Sequence, residues 1–288
     1  MGSSQDEEDR NMIKRILVGL GGTPYTTVAI ERAVKLAKQC DAAITGVTVV
    51  NFERIATVGL VPKGVLNTAR ELAKERVRVT RDAVEYAIGA LESACTAEGI
   101  KYRVKREERE DPFDLMISLA RYHDLMIFGL RSIFEYDISF EDSQDTLARL
   151  IAAGVRPIIA VSERFRPIQK VMIAYSGSME SAKTMKRFVQ LHLWPDAALK
   201  IVNFQSNEEK ARQLLNDAAE YCRVHGFHVD TESNPGSPKD FLLPMATVWQ
   251  ADMIVLGNSA GGLLLKRLIG ETALHIIRNA DRPLFLSQ

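Results

Sequence analysis

The chain has 288 residues, 46% hydrophobic and 26% charged, and its 37 basic and 37 acidic side chains cancel. That is the composition of a globular protein with one or two cores, and the lack of a basic excess argues against a general binder of nucleic acid or anionic membranes. No apolar run approaches the roughly 18–20 residues that a membrane span needs, so cytoplasmic location is the expectation, with no nucleic acid and no membrane among the partners.

The first residues, MGSSQDEEDRN, are polar and acidic and lack the apolar stretch of a signal peptide. Residues 1–13 are read as a disordered tail. Lys14–Leu20 is a short apolar run closing on Gly21-Gly22, hence a buried strand. Thr23 then caps a helix with Pro24 at its first position, and Ala29, Ala33, Leu36, Ala37 and Cys40 fall on one face. Ala42–Val50 is β-branched and reads as a second strand. Phe52–Lys63, with Gly59 and Pro62, reads as a loop. Val65–Glu98 is a long helix with Val77, Ala83, Tyr86, Ala87, Ala90 and Leu91 as its apolar members. It has no continuous heptad seam. Lys101–Lys105 alternates, as an edge strand does. A helix over Pro112–Tyr122, a strand over Asp124–Gly129, a helix over Asp142–Ala153 and a strand over Pro157–Val161 complete the half.

The second half repeats the first. RILVGLGGT (Arg15–Thr23) is matched by KVMIAYSGS (Lys170–Ser178). DLMIFGL (Asp124–Leu130) is matched by DMIVLGN (Asp252–Asn258), and VRPIIAVS (Val155–Ser162) by DRPLFLSQ (Asp281–Gln288). Self-similarity in the same order means a tandem duplication, with its joint near Glu163–Ile168. Between these matches lie a helix capped by Ser178, a strand over Ala198–Phe204, a helix over Glu208–His225, a strand over Phe227–Glu232 and a helix over Pro238–Trp249. Strands that alternate with helices imply parallel sheets covered on both faces. The fold class is therefore α/β: two tandem doubly wound, Rossmann-like domains of five strands each, over residues 14–163 and 168–288. The short joint and the apolar last strands, Ile158–Val161 and Leu284–Leu286, imply that the domains pack as an intrachain pseudo-dimer, since an apolar edge needs covering.

In such sheets ligands bind beyond the carboxyl ends of the strands, where the strand order reverses. Two loops belong there: Ser176-Gly177, and the small-residue stretch from Gly257 through Asn258, Ser259, Ala260, Gly261 and Gly262. A strand, a glycine-rich turn and a helix start can hold a phosphate on free backbone N–H groups. Read without that role, the same glycines are a connection between elements. Lys266 and Arg267 add positive charge, either to a phosphate or to solvent.

With these residues the chain resembles the universal stress protein family in its tandem form, from about Lys14 to Gln288. Nucleotide-binding members carry G-x2-G-x9-G-[ST] after the fourth strand. In the second half this pattern falls on Gly257, Ala260, Gly270 and Glu271 without a gap. The second glycine has become Ala260, and the final hydroxyl residue has become Glu271, with Thr272 beside it. An aspartate that contacts nucleotide in the family stands here as Ser176. In the first half the pattern falls on Gly129, Ser132, Asp142 and Ser143, with Glu135, Asp137 and Glu141 between, and Gly21 replaces the aspartate. Four carboxylates around a phosphate repel it by about 1 kcal/mol each or more, so that half is read as having lost its site.

The resemblance implies a stress-response regulatory protein that binds an adenine nucleotide, ATP or AMP, in its C-terminal domain. The expected site is Ser176, Gly177, Val202, Gly257, Asn258, Ser259, Ala260, Gly270, Glu271 and Thr272, with the adenine near Val202. The alternative is an adaptor in which both sites have decayed, and Glu271 separates the two. No dedicated base or metal ligand is seen, so at most slow ATP hydrolysis is expected. An unidentified protein is the expected partner, and pairing of two chains into a homodimer is left open. Cys40, Cys95 and Cys222 form no CxxC pair and read as buried hydrophobes. His225 and His228 read as a helix end, His275 as an exposed helical residue, and His123-Asp124 as a solvent-facing strand entry.

Overall fold

A computed structural model describes residues 12–48, 50–57, 63–107, 112–130, 157–257 and 271–287. The helix expected at Asp142–Ala153 and the acidic loop before it lie outside these residues. In chain order the first half contains β1 (Arg15–Leu20), α1 (Pro24–Cys40), β2 (Ala43–Thr48), α2 (Phe52–Ala56), α3 (Leu66–Ala97), β3 (Tyr102–Lys105), α4 (Pro112–Ala120), β4 (Leu125–Gly129) and β5 (Ile158–Val161). The second contains β6 (Lys170–Ala174), α5 (Met179–Leu191), β7 (Ala198–Asn203), α6 (Glu208–Val224), β8 (Val229–Ser233), α7 (Pro238–Val248), β9 (Met253–Gly257), α8 (Glu271–Asn279) and β10 (Leu284–Ser287). The segment expected to be a loop after Val50 holds the short α2 and a 3-10 turn at Lys63–Val65. Arg81 lies over the Phe52 ring at 4.5 Å, a tertiary contact from α3 that no local turn signal announces.

The strands form one ten-stranded sheet in the order β3-β2-β1-β4-β5-β10-β9-β6-β7-β8. Each half has the order 3-2-1-4-5, all parallel, and reverses direction of travel between its first and fourth strands. The halves join through their last strands, antiparallel, with Leu284 opposite Ala160, Phe285 opposite Ile159 and Leu286 opposite Ile158. This is the pseudo-dimer expected from the two apolar edges. Phe285 is fully buried at that seam and meets the Phe188 ring edge-on at 5.3 Å. Burying one such side chain contributes about 1.5–3 kcal/mol.

Alternation along the strands divides the core into two layers. Ile16, Val18 and Leu20 face α1 and α3, while Leu17 faces the layer of Met116 on α4. Both layers run through the joint without a break. One contains Ile159, Phe285 and Val255, and the other contains Ile158, Leu286 and Ile254. Ile13, assigned by sequence to the tail, is buried in the first layer, because the residue entering an inner strand is covered on both sides. Tyr86, counted among the apolar members of the long helix, is instead 76% exposed.

The duplication extends to hydrogen bonds. Asp124 Oδ2 accepts the backbone N–H groups of Lys14 and Arg15 at 2.9 and 3.0 Å. At the matching place Asp252 Oδ2 accepts those of Gln169 and Lys170 at 3.0 and 2.9 Å. Each carboxylate ties the entry of a first strand to the entry of its fourth. His123, expected to face solvent, is 1% exposed. Its Nδ1 lies 2.6 Å from the Leu119 carbonyl, and its Nε2 lies 3.0 Å from Thr45 Oγ1. The joint is held from both halves. Arg32 on α1 donates to the Arg166 carbonyl and stacks on Phe165 at 4.4 Å, and Arg166 pairs with Asp281 at 3.2 Å. Burial brings the Arg32 guanidinium down to about 10, still charged at neutral pH.

Candidate functional site

The second half has a cavity of about 330 Å³ at the carboxyl ends of β6, β7 and β9, where the strand order reverses. Its first wall grows from the exit of β6. There Tyr175, Ser176 and Gly177 turn the chain into α5, with Gly177 at φ +79°. The positive φ is what calls for glycine here; an added Cβ would also press on the Leu214 methyl groups of α6 at 2.8 Å, which that side chain can yield by moving. Ser178 caps α5 by accepting Ser181 N–H at 3.2 Å. The Ser176 hydroxyl lies 3.2 Å from that of Ser181 and accepts Ser178 N–H at 3.3 Å. Three hydroxyls are thus gathered at the first turn of a helix, where free N–H groups and the helix dipole favour negative charge. Ser176 and Ser181 line the cavity.

The second wall follows β7. Asn203 is fully buried; it donates through Nδ2 to the Tyr175 carbonyl at 2.7 Å and accepts Gln205 N–H on Oδ1 at 2.8 Å. One amide therefore couples the loops after β6 and β7, and a satisfied buried amide fixes both. Phe204 and Gln205 beyond it line the cavity, as does Pro238 at the start of α7. Val202, where the adenine was expected, is fully buried among Met172, Leu256 and Ala246 and does not line it. The reason is the two-residue period of a strand: the position facing the α7 layer is core, and the ligand wall begins only where the strand ends.

The third wall is the end of β9 and the start of α8. Leu256, Gly257, Thr272 and Ala273 line the cavity. Thr272 is half-buried, whereas Glu271 is exposed and is not part of the wall. Asn258, Ser259, Ala260 and Gly270 lie outside the described residues, as do Lys266 and Arg267. Of the expected site, the fold brings together Ser176, Gly257 and Thr272, keeps Gly177 behind them as the turn, and removes Val202 and Glu271 from the wall. It adds Ser181, Asn203, Phe204, Gln205 and Pro238, from three separate stretches of chain. Only Asn203 carried a local signal, as a polar residue closing an apolar strand.

The described walls are neutral: hydroxyls, the amides of Asn203 and Gln205, backbone groups and apolar side chains. Among the described residues no group of three His, Cys, Asp or Glu can hold a metal. No described helix is long and apolar enough to cross a membrane. The three cysteines are buried, and burial pushes the Cys222 thiol up to about 12 and the Cys95 thiol to about 11. That suits packing and not nucleophilic work.

The first-half counterpart has the same turn with a different filling. Gly21 stands in place of Ser176, and Gly22 adopts φ +69°; a Cβ there would be 3.0 Å from Ala83 and Val84 of α3. Gly22 and Gly177 are thus equivalent: each lets the helix that follows the second strand of its half, α3 or α6, close on the first turn.

Comparison with known proteins agrees with this architecture. A universal stress protein from Archaeoglobus fulgidus DSM 4304 superimposes with a TM-score of 0.66 at 16% identity, over 95% of this chain and 96% of that one. A putative universal stress protein from Pseudomonas aeruginosa UCBPP-PA14 does so at 0.59 and 15% identity, over 97% and 94%. A functionally unknown protein from Pseudomonas aeruginosa PAO1 follows at 0.58 and 15%, over 97% and 94%. No curated protein matches the sequence. The family model for universal stress proteins matches residues 12–129 and 203–287. Those segments take in the opening strand of the first half and the glycine-bearing end of the second, and on that ground the chain belongs to the universal stress protein family.

Proposed function

We propose that the chain is a stress-response regulator, acting in the cytoplasm, that binds ATP or AMP in the cavity of its second half. The observation that carries this reading is the division of labour at the start of α8: Thr272 lines the cavity and Glu271 does not. The carboxylate that departs from the family pattern therefore leaves the cavity wall, and a hydroxyl takes its place one residue later. The cavity volume lies at the low end of about 300–1,000 Å³ typical of small-ligand sites. It suits a nucleoside-sized group. The base would lie against Phe204 and Pro238, and the phosphates would meet Ser176, Ser181, Thr272 and the first turn of α8. Binding there bears on α8 and on β10, the strand that joins the halves. Any regulation works through a difference in affinity between two arrangements of those elements, read by a protein partner.

Calorimetric titration with ATP and with AMP tests the reading. Heat is expected for the natural chain and for Glu271→Ser. Thr272→Glu, which puts a carboxylate into the wall, is expected to lose ten-fold or more in affinity, about 1.4 kcal/mol. No heat for the natural chain with either nucleotide would favour the adaptor reading instead.

A further inference from the structure

The ten-stranded sheet ends in two edges, β3 and β8, that carry opposite charge. On β3, Arg103 and Lys105 stand two residues apart and so share a face. They pair across to Thr45 and Val47, and Val47 belongs to the core layer of Leu17 and Met126. On β8, Asp230 and Glu232 pair across to Lys200 and Val202, and Val202 belongs to that same layer. The basic pair and the acidic pair therefore stand on one face of the sheet, at its two ends, and all four residues are exposed. Charges on an edge ordinarily blunt it against pairing. Like charge on both edges would do so against every copy of the chain, whereas opposite charge repels like edges and attracts unlike ones.

Strand direction completes the match. The halves meet antiparallel at β5 and β10, so β3 runs opposite to β8. A copy shifted along the sheet without being turned over brings its β3 beside β8 as an antiparallel neighbour, with corresponding faces on the same side. We propose that the β3 edge of one chain pairs with the β8 edge of a second copy, with Arg103 opposite Glu232, Lys105 opposite Asp230 and Val104 opposite Thr231. Arg103 Nε donates to Thr45 Oγ1 at 3.0 Å and Lys200 Nζ bridges Glu232 at 2.9 Å, which hold one charge of each edge on the shared face. The contact is head-to-tail, so it repeats from chain to chain into a ring or filament and does not close at two. The edges span only four and five residues. Association is accordingly weak and salt-sensitive.

Sedimentation of the full chain over a wide concentration range, at low and high salt, tests this. The expected result is a mean mass that climbs past two chains at low salt and returns to one at high salt. The Lys105 and Asp230 side chains make no hydrogen bond or ion pair with other described residues, so reversing either leaves the fold intact. Lys105→Glu and Asp230→Lys are each expected to weaken association about ten-fold. An equimolar mixture of the two is expected to restore it, because each altered edge then meets its complement. A single-chain mass at every concentration, a mass that stops at two chains, or reversals without effect would overturn the proposal.

Discussion

A Cβ on Gly257 would stand 2.8 Å from the Cα of Ser181 and 3.2 Å from the Glu180 carbonyl oxygen. The first glycine of the family pattern is thus set by contact between the end of β9 and the first turn of α5. The residue it touches, Ser181, is itself part of the cavity wall. Close packing and ligand geometry are one requirement at this position.

Gly257→Ala is accordingly expected to cost about 1–3 kcal/mol, since backbone and not a flexible side chain must give way. Denaturant unfolding reads the loss, and calorimetry reads weaker nucleotide binding as α5 shifts. Gly89 is the control: it lies inside α3, and an added Cβ meets nothing within 4 Å. Gly89→Ala is expected to stabilise by about 0.5–1 kcal/mol.

The twin carboxylates Asp124 and Asp252 each accept two backbone N–H groups at a strand entry. Removing either by Asp→Ala is expected to cost about 1.5–3 kcal/mol, the range for bonds to a charged acceptor. The two sites share no partner, so the double variant is expected to lose the sum. Equilibrium unfolding of the three variants checks both statements.

His123 brings a pH dependence. Burial lowers its imidazole from the ordinary 6.5, aided by the charges of Arg15 and Arg103 and opposed by the Leu119 carbonyl and Asp124. A carbonyl can only accept, so Nδ1 carries the proton and Nε2 accepts from the Thr45 hydroxyl. The folded state holds its proton less tightly than the unfolded chain. The contribution to stability is therefore whole above pH 6.5 and is lost as pH falls below that value towards the folded one. Unfolding free energy is expected to fall over this acidic window, and His123→Gln is expected to flatten that part of the profile.

Gln250 sits just beyond α7 at φ +58°, the left-handed region that favours glycine. Its backbone N–H still reaches the Thr247 carbonyl at 3.1 Å, which a glycine keeps. Gln250→Gly is expected to raise stability by about 1 kcal/mol, seen as a higher unfolding midpoint.

Much of this molecule follows from its amino-acid order alone. Short apolar runs closing on glycine place β1, β4 and β9, and the match to β1 places β6, because a strand covered on both faces reads as a near-continuous apolar run. The matched runs around Asp124 and Asp252 reveal the duplication, and the bare apolar ends at Ile158–Val161 and Leu284–Leu286 reveal the seam. Local pattern suffices there because burial in a sheet acts on every residue of the segment. The ligand wall was legible only in part. Gly257 follows a spacing, Thr272 adjoins its last position and Ser176 follows from the matched turn, but Asn203, Phe204 and Pro238 meet them only because the sheet sets β7 and α7 beside β6. Val202 and Glu271 show the converse: whether a side chain faces core, cavity or solvent depends on half a turn of backbone and on the neighbour across the sheet. Spacing along one chain carries neither, and only the packed structure decides them.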